Sequence, residues 1–347
     1  MGIKQLSQLL KENCKKGIKE KPIQFYSFKK IGIDTSMFIY QFLIAVRADG
    51  NTLGVGDNTT SHIVGMLYRT IRLVESGIIP IFIFDGKPPE MKMYELKKRT
   101  GRREKADEDL KKAEELEDKA LIEKHEKRKV KVNEEHVNDC KKLLTLLGIP
   151  YLTAPSEAEA FCAYLCKKKF IHGVATEDMD ALTFGSPILL RNFTASATKK
   201  LPIIEYNLEL CLKELDIDMP SFIDLCILLG CDYTESLKGI GMKRGLSLIK
   251  KHGSIENILK NEKIELSETF EYEKARDMFS SLSNIEVEID QKDFSIKWDQ
   301  VNLEEIKAFL VTEKKFDEIR VVKGVEKFLS FRNRSKQSNL DSFFAKK

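Results

Sequence analysis

Short apolar runs alternate with longer amphipathic stretches through most of the chain, and this pattern predicts alternating strands and helices. One apolar run ends at Asp34, and a helix follows from about Thr35, a good N-cap residue. Residues 61–75 carry apolar side chains at helical spacing, and residues 78–86 form a continuous apolar run that reaches Asp85. Fully apolar strands are typical of parallel sheets that are covered on both faces. The pattern therefore predicts an α/β fold with a mostly parallel central sheet and helices on both faces.

Acidic residues cluster where these predicted strands end. The strongest signal lies in residues 173–184, where a short apolar run leads into two aspartates two residues apart. Because ligands of such sheets bind at the carboxyl ends of parallel strands, we expect the acids to converge there. A glutamate pair at the start of a predicted helix and an aspartate in L-G-C-D-Y are expected to join them, so that seven acids converge on one site: Asp34, Asp85, Glu157, Glu159, Asp178, Asp180 and Asp232.

A cluster of this kind needs cations. Two like charges 4 Å apart repel by about 4 kcal/mol at an effective dielectric constant of about 20. Oxygen ligands suit hard divalent ions such as Mg²⁺, so the seven acids predict a divalent metal site. Residues two apart on a helix point to different sides, which leaves open whether Glu157 and Glu159 serve one ion or two.

Residues 87–131 have a different character, with 16 basic and 12 acidic residues and few large apolar ones. The segment reads as one or two exposed helices with little core contact. It is either a solvated charged surface or a mobile basic element over the active cleft. We favour the second interpretation, because the segment begins directly after Asp85 and its first part, with Lys92 and Arg99, is strongly basic.

A compact glycine hairpin lies between two helical runs in residues 229–254. Glycine allows backbone N–H groups to approach phosphate, and the following helix N-terminus favours negative charge. A bare G-I-G is weak evidence, but here Gly239 and Gly241 are followed by Lys243 and Arg244. The stretch predicts a helix–hairpin–helix element that grips a nucleic-acid backbone without reading its sequence.

The remaining chain carries less chemistry. Residues 255–332 read as mixed helix and strand, and residues 331–347 form a polar tail. Apolar side chains within that tail have no core to serve, so they suggest a docking peptide, the alternative being a tail that folds back on the domain. The docking side chains are Gln337, Leu340, Phe343 and Phe344.

Composition and charge reduce the number of possible function classes. The 347 residues are 42% hydrophobic, enough for a sizeable core, and no apolar run is long enough to span a bilayer. The 7 cysteines and 5 histidines are scattered, which favours reduced buried thiols over disulfides or zinc sites. The net charge is only +4, but acids gathered in one cleft leave the other surfaces more basic, which favours a nucleic-acid partner.

Taken together, these motifs resemble the flap endonuclease family, within the structure-specific 5′ nucleases that include the XPG-type excision nucleases. The resemblance covers essentially the whole chain. It rests on the start M-G-I, on F-D-G-K-P-P, A-P-S-E-A-E-A and A-T-E-D-M-D-A-L-T-F-G, on L-L-G-C-D-Y with G-I-G-x-K-R, and on Q-x-x-L-x-x-F-F. It implies a eukaryotic type of enzyme that cleaves 5′ flaps at the single-strand/duplex junction and has 5′–3′ exonuclease activity. The implied roles are Okazaki-fragment maturation and long-patch base excision repair.

The resemblance also implies an organisation and a location. The expected parts are a nuclease region (1–104), an arch helix (105–120) over the cleft, an internal nuclease region (121–252), its C-terminal part (253–332) and a flexible tail (333–347). The expected protein is a monomer, with up to three bound per clamp trimer and none at a membrane. Its expected place is the nucleus, both nucleoplasm and nucleolus, with a mitochondrial pool left open.

Residue roles follow from the same resemblance. The seven acids are expected to bind two Mg²⁺, with Mn²⁺ as a substitute, while Lys92 and Arg99 activate the scissile phosphate. The hairpin is expected to hold K⁺, and residues 337–344 to bind the sliding clamp PCNA. The expected DNA contacts are Tyr40, Arg47, Arg69, Arg102, Arg103, Glu157, Arg191, Gly230, Asp232, Gly239, Gly241, Lys243 and Arg244.

Two rival functions stay open at this point. A clamp-docked DNA-binding factor without catalysis would need the hairpin and the tail but not seven acids. A bubble-cutting excision nuclease or a mainly exonucleolytic repair enzyme would use the same acids. The shortness of residues 87–131 favours flap cutting, because the excision type carries a far longer insertion there.

Overall fold

One seven-stranded sheet forms the centre of the computed structural model, which describes residues 2–48, 60–116, 118–195, 201–265, 267, 269–282 and 290–331. The strand order is β1-β7-β6-β5-β2-β3-β4. Pairings among β2 to β6 are parallel, while β7 runs antiparallel to β6 and β1. The strands are β1 (Ile18–Lys21), β2 (Lys30–Asp34), β3 (Ile79–Phe84), β4 (Tyr151–Thr153), β5 (Gly173–Ala175), β6 (Ile188–Arg191) and β7 (Ile203–Asn207). This confirms the predicted mostly parallel α/β sheet.

Helices connect the strands and cover the sheet. Among the described residues no helix is both long and apolar enough to cross a membrane. The helices are α1 (Leu6–Asn13), α2 (Thr35–Ala48), α3 (Ser61–Glu75), α4 (Met93–Glu115), α5 (Lys119–Lys129), α6 (Glu134–Leu146), α7 (Ala158–Lys167), α8 (Asp180–Thr183), α9 (Leu208–Leu215), α10 (Met219–Leu229), α11 (Met242–His252), α12 (Ile255–Asn261), α13 (Tyr272–Leu282), α14 (Leu303–Lys307) and α15 (Glu318–Ser330), with a π-helix at Ala308–Glu313.

Strand β3 shows how the sheet is buried on both faces. Ile81 and Ile83 pack into one hydrophobic cluster, and the alternating Phe82 and Phe84 pack into another. Successive side chains of a strand point to opposite faces, so both faces carry a core layer. Each such side chain contributes about 1.5–3 kcal/mol on burial. All seven cysteines are free thiols and six of them are buried, as the composition predicts.

The charged segment after β3 forms two helices, α4 and α5, that pack against each other. Ala106, Leu110 and Ala113 of α4 are buried at helical spacing and form a narrow stripe, and alanine allows a close approach of the two helices. The prediction of exposed helices with little core contact is confirmed, because most described side chains of the pair are exposed or half-buried and none of them belongs to the two hydrophobic clusters of the sheet. Residue 105, the expected start of the arch, lies in the middle of α4.

The region 255–332 corrects one expectation. Its described residues form helices α12 to α15, the π-helix and short 3₁₀ turns, and they contain no strand. Buried Val321, Val325 and Phe328 recur every three or four residues, which is the period of a helix and not of a strand. The predicted mixture of helix and strand is therefore wrong for the part that the structure describes.

A buried ion pair ties α10, α12 and α13 together and carries a stability prediction. Arg276 on α13 donates to both carboxylate oxygens of Asp224 at 2.7 and 2.8 Å, and Asp224 is 2% exposed. The same Asp224 accepts the Ile255 N–H at 3.0 Å, and Arg276 also binds Glu256 at 2.7 Å. Replacing one partner of a buried pair leaves an uncompensated charge.

We expect Arg276→Ala to lower the free energy of unfolding by about 3–5 kcal/mol in urea denaturation. The matched control is Lys213→Ala, which removes an exposed pair with Glu209 and should cost less than about 1 kcal/mol. Equal stability of the two variants would contradict a structural role for the Arg276–Asp224 pair.

Candidate active site

The carboxyl edge of the parallel strands gathers the acids that the sequence predicts. Asp34 ends β2, Asp85 directly follows β3, and Asp178 follows β5. The other four stand at helix ends that reach the same edge. Five of the seven side chains are buried, whereas Asp232 is half-buried and Asp85 is exposed. The cluster is therefore a cleft that opens toward solvent on the Asp85 side.

The backbone at the start of α7 sets the direction in which the side chains of Glu157 and Glu159 point. Glu157 is the N-cap of α7, with extended backbone, and Glu159 lies in the first turn of that helix. Because Glu157 stands outside the helical repeat, the usual divergence of residues two apart does not apply. The Lys92 ammonium contacts Glu157 and lies 3.6 Å from Glu159, so both carboxylates reach one place.

Backbone and hydroxyl groups fix the orientation of the acids. Asp34 accepts the Met37 N–H at 3.2 Å and the Thr176 hydroxyl at 2.8 Å. Asp85 accepts the Ala158 N–H at 2.8 Å, which ties the end of β3 to the first turn of α7. These bonds satisfy some of the oxygen lone pairs and leave the others free for a cation.

Burial of the acids, and then their mutual repulsion, raises the pKa values of three of them. Burial raises the pKa of Asp34 to about 7, with added repulsion from Asp85 and Asp178. Burial likewise raises the pKa of Glu159 and of Asp180 well above the usual range, and Asp178 is the first like charge that acts on Asp180. Buried carboxylates that repel each other favour the protonated form. A bound cation would favour the ionised form instead.

A pH prediction follows for the metal-free protein. A group whose pKa is raised by folding contributes stability below its unfolded pKa and loses it as pH rises through the folded value, here about 7. We therefore expect Asp34→Asn to gain stability relative to the unsubstituted chain between about pH 4 and about pH 7, at about 1 kcal/mol per pH unit, and the difference to level off above about pH 7. Thermal unfolding in a chelator measures this, with exposed Asp216→Asn as the control. Parallel pH curves for the Asp34 variant and the unsubstituted chain would refute it.

Two basic side chains from the charged segment reach into the acid cluster. Lys92 Nζ contacts Glu157 and lies 3.8 Å from Asp232, while Arg99 Nη2 donates to Asp232 at 2.6 Å. Burial alone would lower the pKa of Lys92, but Glu159, Glu157 and Asp232 together raise it well above its usual range. The segment that follows Asp85 is thus anchored at the cluster by its first turns.

The oxygen donors of the cluster suit a hard divalent cation. As placed, the described residues contain no group of three His, Cys, Asp or Glu side chains that closes around one ion. The reason is visible in the structure, because the Lys92 ammonium lies among the carboxylates where a cation would be expected. The cluster offers hard oxygen donors with raised carboxyl pKa values, and it already contacts one cationic side chain. These properties fit divalent ions that keep several water ligands.

Two further residues shape the site and were not among those predicted. Gly2 has φ +76°, and any side chain there would collide with the carboxylates of Asp178 and Asp180. Next to it, the Ile3 N–H donates to Asp180 at 2.8 Å. The buried Tyr233 hydroxyl donates to Glu157. Gly2 belongs to the M-G-I start and Tyr233 to L-G-C-D-Y, so both lie in motifs identified in the sequence. Neither residue is acidic or basic, and charged side chains are what indicate a metal site in a sequence.

The predicted DNA contacts divide into several groups. Tyr40 is half-buried, and Arg69 stacks on Phe42 with its guanidinium 3.7 Å from the ring centroid. Arg191 donates to Glu177 at 3.1 Å and to Ser7 at 2.8 Å, beside the acid cluster. Arg102 projects into solvent from α4. The side chain of Arg47 and the docking residues 337–344 lie outside the described residues.

The glycine hairpin joins α10 to α11. Gly230 has φ +107° and Gly239 has φ +77°, both in the left-handed region that favours glycine. Gly241 is the N-cap residue of α11, and Lys243 and Arg244 are exposed in its first turn. The hairpin therefore presents a helix N-terminus and two cations on one surface, as the sequence predicts.

Comparison with known proteins gives consistent matches. The XPG N-terminal domain matches residues 1–106 and the XPG I-region matches residues 148–232. Flap endonuclease 1 of Encephalitozoon cuniculi (strain GB-M1) is 56% identical over 346 residues, covering 100% of this chain and 99% of the relative. Flap endonuclease 1 of Xiphophorus maculatus is 49% identical, covering 99% and 91%.

Solved structures agree on the fold. Flap endonuclease-1 from Methanococcus jannaschii superposes with a TM-score of 0.69 at 32% identity, over 92% of this chain and 97% of that one. The catalytic core of Rad2 in complex with a DNA substrate gives a TM-score of 0.68 at 24% identity, over 94% and 100%.

Proposed function

This chain belongs to the flap endonuclease family, and we propose that its seven-acid cluster hydrolyses the phosphodiester at the junction of a 5′ flap with duplex DNA. It is a nuclease, and cleavage of 5′ flaps, with roles in DNA replication and repair, follows from the family. The observation that carries the site assignment is the meeting of acids from several strand and helix ends with Lys92 and Arg99 at one cleft.

The acids would hold two Mg²⁺, with Mn²⁺ as a substitute. Such a pair of ions, when bound, supplies an activated water and stabilises the charge of the leaving 3′ oxygen. Lys92 and Arg99 would turn from the carboxylates to the non-bridging phosphate oxygens when the strand enters, because these oxygens carry the charge that develops in the transition state. The expected products carry a 5′-phosphate and a 3′-hydroxyl.

The α4–α5 pair would act as a gate for the single strand. Its basic first part lies at the cluster through Lys92 and Arg99, and its narrow apolar stripe joins the two helices into one unit. A 5′ single strand would pass beneath the pair, whereas a duplex is too wide. Equal protease sensitivity of residues 93–129 with and without flap DNA would argue against this role.

Hairpin and surface cations would hold the duplex. The hairpin would bind K⁺ against the phosphates, and the contacts named above would add affinity that falls with salt. Nuclear residence, in nucleoplasm and nucleolus, fits a replication enzyme and is testable by imaging a tagged chain, which would also reveal a mitochondrial pool.

The deciding experiment compares substrates. We expect the chain to cleave a labelled 5′-flap duplex in Mg²⁺ faster than a nicked duplex, and not to cut a bubble. A chelator should stop the reaction. Equal or faster cutting of the bubble would favour an excision nuclease, a nicked duplex as the best substrate would favour an exonuclease, and binding without cleavage would favour a docking factor.

The tail motif carries a separate prediction. We propose that residues 337–344 dock on the sliding clamp PCNA, because this polar stretch of sequence carries one aliphatic and two adjacent aromatic residues and aromatic groups are common interface anchors. Phe343→Ala with Phe344→Ala should abolish clamp binding in calorimetry and leave clamp-free flap cleavage unchanged. The control, Lys346→Ala with Lys347→Ala, should keep binding. Stoichiometry from light scattering tests whether a clamp trimer accepts three monomers, and retained clamp affinity in the Phe variant would refute the docking role.

A further inference from the structure

A cluster of two lysines, two phenylalanines and a histidine lies at the opposite edge of the sheet from the acids. It comprises Lys21 at the end of β1, Phe25, Phe28 and Lys29 in the link to β2, and His172 before β5. We name these five residues the amino-edge cluster. Strand β2 starts next to it and ends at Asp34, so roughly five residues, or about 16 Å, separate the cluster from the acids.

Two ammonium groups share one carboxylate there, that of Glu205, which pairs directly with Lys21. Lys29 Nζ lies 3.3 Å from His172 Nε2, and within the part of the chain that the structure describes it forms no ion pair. Glu205 is nearby, but its two oxygens are engaged by Lys21 at 2.8 Å and by the Tyr26 hydroxyl at 2.9 Å. Burial and then Lys21 lower the pKa of Lys29, and burial and then Lys29 lower the pKa of His172. An anion at this place would relieve both groups.

Aromatic rings accompany the cations. Phe25 is 47% exposed and Phe28 is 48% exposed, which is unusual for large apolar side chains. The ammonium groups of Lys21 and Lys29 lie 3.8 and 4.1 Å from the centroid of the Phe25 ring. The Phe25 ring and the two ammonium groups therefore form one surface, and Phe28 is exposed three residues further along the same link.

Phe28 also adopts a strained backbone. Its φ of +63° lies in the left-handed region, where a bulky residue is an outlier. Its N–H donates to the Gly77 carbonyl at 2.7 Å, which holds the turn, but the half-exposed ring recovers little by burial. Strain that local packing does not repay is a reason to look for a ligand.

We propose that the amino-edge cluster binds a single strand of nucleic acid, with phosphates on Lys21 and Lys29 and bases stacked on Phe25 and Phe28. Cations that follow the backbone and rings that stack bases are the two parts of such sites. An acidic peptide would satisfy the cations, but it offers few flat groups to the two rings. The choice of nucleic acid rests on the proposed function, and the site would hold a strand away from the reactive edge.

The test places a photocrosslinker at the surface itself. In the full chain, with chelator present, Phe28→p-benzoylphenylalanine should crosslink to a labelled oligothymidylate of about 12 nucleotides. Adding Lys21→Gln and Lys29→Gln should remove most of the crosslink and reduce the salt slope of strand binding by about 1.4. The control pair Lys142→Gln and Lys213→Gln alters two exposed lysines that each pair with a glutamate and should leave the crosslink intact.

A second variant separates binding from folding. Phe28→Gly relieves the positive φ and should raise the melting temperature, yet it should weaken strand binding about tenfold through the lost stacking. Unchanged affinity in this variant, no crosslink to the oligonucleotide, or stronger crosslinking to polyglutamate would each overturn the proposal. If any of these results occurs but the chain still cleaves flaps, only the amino-edge proposal fails and the proposed nuclease function stands. If the crosslink forms but the chain cannot cleave flaps in Mg²⁺, only the proposed nuclease function fails.

Discussion

Asp180→Asn is expected to reduce flap cleavage by at least about 10³-fold, which corresponds to about 4 kcal/mol of lost transition-state stabilisation. Asp180 is 2% exposed and lies beside Asp178, with the Ile3 N–H fixing one of its oxygens. An amide of the same shape keeps that hydrogen bond but cannot supply the charge that a divalent ion requires. Single-turnover cleavage at saturating enzyme isolates the chemical step from binding.

Asp180→Asn should improve the stability of the metal-free protein and should not weaken its binding of flap DNA, although it impairs cleavage. Removing one of several repelling buried charges should raise the melting temperature in chelator and should preserve or strengthen flap binding. Asp216→Asn, an exposed aspartate with φ 54°, makes the same charge change away from the cleft and should leave cleavage unaltered. Full activity of Asp180→Asn, or loss of flap binding along with cleavage, would contradict the assignment.

Sequence patterns predicted the sheet because the physical signal was strong. Fully apolar strands such as β3 and acids at strand ends such as Asp34 leave few alternatives, since parallel strands bring their carboxyl ends together. The buried stripe of α4 escaped prediction because it is built largely from alanines, Ala106 and Ala113, which carry little weight in a hydrophobic pattern.

Parts of the site depend on contacts that no local pattern records. Gly2 matters because its missing side chain leaves space beside Asp178, and Tyr233 matters because its hydroxyl meets Glu157 from a distant helix end. Glu157 and Glu159 both approach the Lys92 ammonium because of one backbone detail, the N-cap position of Glu157. Tertiary neighbours of this kind must be seen in the folded chain.

Lys92 carries the second large prediction, because it acts on both stability and catalysis. Its ammonium contacts Glu157 and lies 3.6 Å from Glu159 and 3.8 Å from Asp232, with the side chain 14% exposed. In chelator, Lys92→Met should lower the free energy of unfolding by about 3–5 kcal/mol, because it leaves buried carboxylates without their counter-charge. In Mg²⁺, cleavage should fall by about 10²–10³-fold through loss of a charge aimed at the phosphate.

Titration with Mg²⁺ distinguishes this role from a simple packing role. If the ammonium occupies the place that divalent ions would take, its removal should make the carboxylates more available, and Mg²⁺ should raise the melting temperature of Lys92→Met more than that of the unsubstituted chain. Lys92→Arg keeps the charge and serves as the matched control, with smaller losses in chelator. A Lys92→Met chain as stable as the unsubstituted one in chelator would show that this ammonium does not hold the acids together. Equal stabilisation of both chains by Mg²⁺ would show that Lys92 and the metal do not compete for the same oxygens.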